Sequence, residues 1–270
     1  MNWFEALTLA VVQGLTEFLP VSSSGHLVLA QSIFGIEASA AFLYDILLHL
    51  GTALAALAFY RRDVADVLRG VLPPYRQSPP ELREARRLLL LLVAATAPTA
   101  AIGFAFKDFF EGLFASPRAV TGALAVTGTF LVASALLRAA GRPLGETPWW
   151  KAVLVGVAQG VAIVPGISRS GSTIVAGLAV GLRREDAVRF SFLLSLPAIL
   201  GAALLELRHL PARAADLPLA IAAAGFGVAA ATGYLAILFV LRWTREGRLW
   251  QFGLYCWAVA ALAAVLPLTR

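Results

Sequence analysis

Gln13-Gly14-Leu15-Thr16-Glu17-Phe18-Leu19-Pro20-Val21-Ser22-Ser23-Ser24-Gly25-His26 lies in the middle of an apolar region, 3–34, and breaks it. Pro20 and the Ser/Gly run that follows end a helix and start another. Each half is then too short to cross a hydrocarbon core of about 30 Å, which needs about 20 apolar residues. Two short apolar helices around a polar turn read as a re-entrant hairpin, tolerated at membrane depth where its backbone is buried in protein or lines a wet cavity. Gln13 and Glu17, four apart, share a helix face directed toward the turn.

The region 152–182 is broken in the same way, at Pro165-Gly166-Ile167-Ser168-Arg169-Ser170-Gly171. Gln13-Gly14, Ser22, Ser24 and Gly25 meet Gln159-Gly160, Ser168, Ser170 and Gly171 at a common offset of 146. Leu47-Leu48-His49-Leu50 meets Leu193-Leu194-Ser195-Leu196 at that offset too. Six uninterrupted apolar stretches, roughly 41–60, 88–106, 118–137, 190–207, 219–241 and 250–268, are long enough to span. The predicted fold is all-α integral membrane: six transmembrane helices, two re-entrant hairpins and one membrane domain over 1–270. Its repeats cover about 1–137 and 150–268. A unit of one hairpin and three spans has an odd number of crossings, so the second copy is inverted and the broken elements face each other near the midplane.

Composition agrees with this reading. Of 270 residues 59% are apolar and 14% charged, against about 45–50% and 25% in a soluble domain. An ordinary cytosolic enzyme, a disordered chain and, with Cys256 the single cysteine, a disulfide scaffold are excluded. Residues 1–20 hold Glu5 and Glu17 but no Lys or Arg, and read as mature fold rather than signal peptide. The net charge of +6 marks cytoplasmic loops rather than a nucleic-acid partner. Sixteen of the 22 basic residues fall in four loops: Arg61, Arg62, Arg69, Arg76, Arg83, Arg86 and Arg87; Arg138, Arg142 and Lys151; Arg183, Arg184 and Arg189; Arg242, Arg245 and Arg248. Lys107, Arg118, Arg208, Arg213 and Arg270 take the other side, which puts both termini outside. Residues 61–87, with Pro73-Pro74 and Pro79-Pro80, read as a solvated linker that meets anionic lipid heads. Trp3, Trp149, Trp150, Trp243 and Trp250 fall near span ends.

Arg169 remains, inside an apolar region where a central Arg costs about 2.5–3.5 kcal/mol. With Gly166, Ser168, Ser170, Ser172, Thr173 and the N–H groups of a half-helix it makes an anion cradle. An Arg that only neutralises Glu17 is the structural alternative. In the first turn capping explains one or two of Ser22, Ser23 and Ser24, but not an ionisable Glu17 and His26 within one turn of each other. Glu, Ser and His can serve as base, nucleophile and proton carrier. Asp45 and His49 form a weaker pair near the mouth of such a site, and Glu206 and His209 lie at a span end. Neither turn fits a G-x-S-x-G elbow, and three histidines without a Cys/His cluster exclude structural zinc. A hard divalent ion held by Glu17 and substrate phosphate oxygens stays open.

The segments 13–26 and 165–173 resemble the two signature segments of the bacterial undecaprenyl pyrophosphate phosphatases, the integral-membrane family linked to bacitracin resistance. The second matches that family's Pro-Gly-x-Ser-Arg-Ser-x-x-Thr pattern, and the span layout extends the likeness to essentially the whole chain. Many members carry Glu where this chain has Gln13, so an obligatory base at that position is not implied, whereas Glu17 matches. The resemblance implies hydrolysis of a C55 polyprenyl pyrophosphate to the monophosphate and inorganic phosphate, returning carrier lipid to cell-wall synthesis. It further implies Mg²⁺ or Ca²⁺, a homodimer, and a site open to the periplasmic side of the bacterial plasma membrane. Ser23 is the expected nucleophile, with Glu17 or His26 accepting its proton and Arg169 offsetting substrate charge; Gln13, Ser22, Ser24, Gly166, Ser168, Ser170 and Thr173 are the expected substrate contacts. An inverted-repeat transporter or lipid flippase is the alternative, since nothing in composition separates the two. An intramembrane protease is more distant, because it needs no anion cradle.

Overall fold

The computed structural model describes residues 1–71, 80–114, 116–137, 141–207 and 217–266, the side chains of 38–40 aside. Arg76, Arg138, Arg208, His209, Arg213, Arg270 and Pro73, Pro74 and Pro79 lie outside them. Among the described residues the chain is helical, with one isolated bridge, Arg142 to Leu182, and no strand.

The first broken region forms α1 (Trp3–Phe18) and α2 (Ser23–Phe34), the second α8 (Trp149–Val161) and α9 (Arg169–Ala179). These have 16, 12, 13 and 11 residues, about 24, 18, 20 and 17 Å at 1.5 Å per residue, all short of a bilayer core. Asn2 starts α1 as a capping box with Glu5, and Gly35, at φ 67°, ends α2. Each hairpin is closed at its base: the Phe4 and Phe34 rings meet edge-on at 6.1 Å, and Lys151 Nζ donates to the Val180 carbonyl at 2.6 Å.

Between and after the hairpins run α3 (Ala38–Phe59), α4 (Arg61–Gly70), α5 (Pro80–Ala105), α6 (Lys107–Phe114), α7 (Pro117–Ala133), α10 (Arg184–Leu207), α11 (Leu219–Arg245) and α12 (Gln251–Val265). Five of them, α3, α5, α7, α10 and α11, are long and apolar enough to cross a membrane. The sixth expected span is the exception, because α12 has 15 residues, about 22 Å of helix. Residues 61–70 are also helical rather than linker, and α6 exposes Phe109 and Phe114 beside a Lys107–Glu111 pair, as an interfacial helix does.

The four basic loops are tied to one another. Arg189 pairs with Asp63, Arg87 Nη2 donates to the Thr147 carbonyl at 2.6 Å, Arg142 N–H donates to Gly181 O at 3.1 Å, and Arg245 meets Glu185 at 2.8 Å. All four therefore lie at one end of the bundle, the end where α8 begins and α9 finishes.

Packing is crossed between the halves. α1 lies along α11 and α8 along α5, while α7 pairs with α12 and α3 with α10. Small residues permit the contacts, as expected where no hydrophobic force separates helix from lipid. A Cβ on Gly14 would meet Thr232 Oγ1 at 1.8 Å, and one on Gly156 would meet the Ala95 carbonyl at 2.0 Å. Because the second obstacle is backbone, Gly156→Ala is expected to cost about 1–3 kcal/mol or more by prising α8 from α5. Gly122→Ala, in open space, costs nothing. Thermal loss of the monodisperse peak in detergent separates the two.

Candidate active site at the hairpin tips

The two turns meet tip to tip. Ser170 Oγ donates to the Leu19 carbonyl at 3.0 Å, a Cβ on Gly25 would lie 3.1 Å from Gly166 Cα, and one on Gly171 would lie 3.3 Å from Pro20 Cβ. Gly166 adopts φ +96° with the Val120 carbonyl 2.5 Å from where a Cβ would be, so only glycine fits there. Thr127 of α7 straps this turn: its hydroxyl donates to Gly166 O at 2.8 Å and accepts the Ser168 N–H at 3.1 Å. Nothing in the sequence distinguished Thr127 from other threonines of the spans.

Capping sorts the hydroxyls. Ser22 Oγ accepts from Gly25 N–H and Ser168 Oγ from Gly171 N–H, so these two serines start α2 and α9. Ser24 and Ser170 sit 3.3 Å from their respective caps. Ser22, at φ 71°, is the one non-glycine among the described residues with positive φ, a conformation costing on the order of 1–3 kcal/mol. It is held by the backbone N–H and Nδ1–H of His26, both donating to its carbonyl, at 3.1 and 2.8 Å.

At the position after each cap the two turns differ, with Ser23 in one and Arg169 in the other, and both side chains go to Glu17. Arg169 Nη2 donates to Oε1 at 2.6 Å, and Ser23 Oγ to Oε2 at 2.6 Å. Gln13 Nε2 donates to Oε2 at 2.9 Å, and His49 Nε2 stands 3.8 Å from that oxygen. Glu17 is buried, its side chain 4% exposed, so the guanidinium is what makes its charge tolerable. Of the five buried side-chain polar atoms left without a partner among the described residues, two belong to this site, Arg169 Nη1 and Gln13 Oε1. An unpaired buried donor beside a half-helix N-terminus is satisfied by an anionic oxygen.

A small cavity of about 40 Å³ lies here. Thr16, Glu17, Ser22, Ser23, Ser24, Ala162, Ile167, Ser168, Arg169 and Ser170 line it. Three expected residues stand apart. His26 turns away: with Nδ1–H on the Ser22 carbonyl, its Nε2 accepts from Tyr255 OH at 2.9 Å, and the two rings stack at 5.6 Å. Thr173 bonds Ser191 Oγ at 2.5 Å, and Gly166 contributes backbone only. Sequence reasoning set His49 at the mouth; the fold brings it to Glu17, because α3 packs against α1. The second hairpin lacks the acid, since Ile163 stands at the position equivalent to Glu17 and Gln159 turns to Thr99.

As a divalent-ion site this donor set does not fit. Glu17 offers the one carboxylate of the cavity, both its oxygens are taken by Arg169, Ser23 and Gln13, and no group of three His, Cys, Asp or Glu side chains suited to a metal occurs among the described residues.

A serine hydroxyl and a guanidinium thus converge on one buried carboxylate in a helical bundle, five of whose helices are long and apolar enough to cross a membrane. The chain belongs to the Bacitracin resistance protein BacA family, which it matches over residues 6–262. It is 45% identical to an undecaprenyl-diphosphatase of Carboxydothermus hydrogenoformans over 98% of both chains. It is 44% identical to proteins of that name from Syntrophotalea carbinolica, over 97% of this chain and 98% of the relative, and from Rubrobacter xylanophilus, over 99% of each.

Proposed function

We propose that this chain hydrolyses undecaprenyl diphosphate to undecaprenyl phosphate and inorganic phosphate, recycling carrier lipid for cell-wall synthesis in the bacterial plasma membrane. One observation carries the reading. A serine hydroxyl and a guanidinium converge on the two oxygens of a single buried carboxylate, with Arg169 Nη1 unpaired beside them. The prenyl tail stays in lipid while the diphosphate enters between the tips, held by Arg169 and the first-turn N–H groups of α9. Ser23 Oγ attacks the terminal phosphorus, Glu17 Oε2 takes its proton, and the bond to the bridging oxygen breaks to release the lipid monophosphate. Water then attacks the phosphorus, Glu17 takes its proton and returns it to Ser23 Oγ as the Oγ–P bond breaks, and phosphate leaves with the serine restored. Gln13 orients Glu17 through its amide and is no base. Mg²⁺ or Ca²⁺ remains part of the proposal as an ion brought in on the substrate's own oxygens.

The same reading takes the hairpins as re-entrant and the halves as inverted repeats. Supporting it are the short legs, the bases closed at Phe4–Phe34 and Lys151–Val180, and the crossed packing of α1 on α11 and α8 on α5. Placing the tied basic loops in the cytoplasm sets both termini outside and opens the first hairpin to the periplasm. A homodimer completes the proposal from the resemblance. A transporter of this architecture needs no hydroxyl aimed at a buried base, and the curated relatives are named as diphosphatases.

Phosphate release from a polyprenyl diphosphate by the purified full chain in detergent micelles tests it, with and without divalent ion. Release is expected; none under either condition overturns the enzyme reading.

A further inference from the structure

We propose that His49 is the outlet for the proton that Glu17 takes from Ser23, a role that rests on the hydrolysis described above. The covalent route uses Glu17 as base twice per turnover, first for the serine and then for the water. Between the two it has to lose a proton, and its side chain is 4% exposed. None of its hydrogen-bond partners takes one: the Arg169 guanidinium and the Gln13 amide nitrogen only donate, and Ser23 is the source. His49 is the remaining ionisable neighbour, its Nε2 3.8 Å from Glu17 Oε2 and its ring 32% exposed, against 4% for the carboxylate side chain.

The tautomer is set by the backbone. His49 Nδ1 lies 2.8 Å from the Asp45 carbonyl, which only accepts, so Nδ1 carries a hydrogen and the neutral ring turns its Nε2 lone pair toward Glu17. At 3.8 Å the pair is about 1 Å beyond hydrogen-bond reach, so the transfer takes a small approach of ring and carboxylate. The Ser23 O–H bond breaks as Oγ–P forms and the bond to the bridging oxygen breaks, the proton passes to Glu17 Oε2 and then to His49 Nε2, and the imidazolium, its Nδ1–H kept on the Asp45 carbonyl, gives the Nε2 proton up to a solvent water. Glu17 is again a carboxylate when the water attacks.

The charges around the ring are few. Glu17 faces it from α1, with Arg169 of α9 on the far carboxylate oxygen. Asp45 lies one turn back on α3, its carboxylate held by Gln31 Nε2 of α2 at 2.9 and 3.0 Å, and the α2 imidazole, His26, is turned to Tyr255. α10 and α11, packed along α3, carry charge only toward their ends, at Arg184, Glu185, Asp186, Arg189 and Glu206 and at Arg242 and Arg245. α4 meets α3 at its basic end. The second half supports the assignment by contrast, since Ile163 and Ser195 stand at the positions of Glu17 and His49, and acid and imidazole are missing together.

The test follows steady-state phosphate release by the full chain in micelles across a pH series. His49→Ala is expected to lower kcat by about tenfold or more. It leaves KM within about twofold and alters the dependence of kcat on pH. Added imidazole restores His49→Ala in proportion to its concentration and leaves wild type unchanged. An unaltered kcat and profile in His49→Ala, full activity in His49→Gln, or a loss that raises KM and ignores imidazole each overturns the outlet while the phosphatase reading stands. Absence of release by wild type in the same assay overturns both.

Discussion

An Arg169→Ala chain releases phosphate about 10³-fold more slowly than wild type, the scale of losing a guanidinium that stabilises charge on a transferring phosphoryl group. The same change strips the counter-charge from Glu17. Breaking a buried pair of this kind leaves an uncompensated carboxylate and costs about 3–5 kcal/mol. Activity and stability therefore fall together, and a further variant separates them. Glu17→Gln with Arg169→Met removes both charges, so the thermal midpoint in detergent recovers while phosphate release does not. Arg169→Lys keeps the charge but loses the planar fork that reaches Glu17 with Nη2 and leaves Nη1 for substrate, and it is expected to fall between. An Arg169→Ala chain with near-normal turnover would reduce the arginine to a structural counter-ion.

Ser23→Ala removes the hydroxyl proposed to attack phosphorus, and turnover is expected to drop by at least about 10³-fold with the fold intact, since Ser22 and not Ser23 caps α2. Ser24→Ala, one residue on, stays within about threefold because its hydroxyl meets only the Ser22 cap. Ser22→Ala loses a cap worth about 1 kcal/mol. Acid-quenched wild-type enzyme should carry phosphate on residue 23 by mass spectrometry. Ser23→Ala activity within tenfold of wild type, with no trapped phosphoserine, would leave direct water attack activated by Glu17 as the chemistry.

Much of the site was legible because charge in an apolar segment is expensive. Glu17 and Arg169 stood out as residues that only a partner could make tolerable, and the fold makes each the other's partner. The serines were not separable in sequence, for all three sit at a helix start where any hydroxyl can cap. The resemblance alone favoured Ser23, and the turn, in which Ser22 adopts positive φ, places the Ser23 hydroxyl on Glu17. The placement of His26 and His49 was settled in space for a similar reason. Adjacency in sequence favoured His26, but a ring at the start of α2 finds the Ser22 carbonyl and Tyr255, while α3 carries His49 alongside Glu17.

From the order of residues alone came the helical class, the broken regions, their common offset of 146 and the four basic loops, because these depend on local hydropathy, chain-breaking residues and charge, all readable along one dimension. Which hydroxyl and which imidazole face the carboxylate, and the strap from Thr127, were decided by tertiary packing. Those depend on close approach of helices far apart in the chain, at glycines such as Gly14 and Gly156, and periodicity within a segment says which face is apolar but not what it meets.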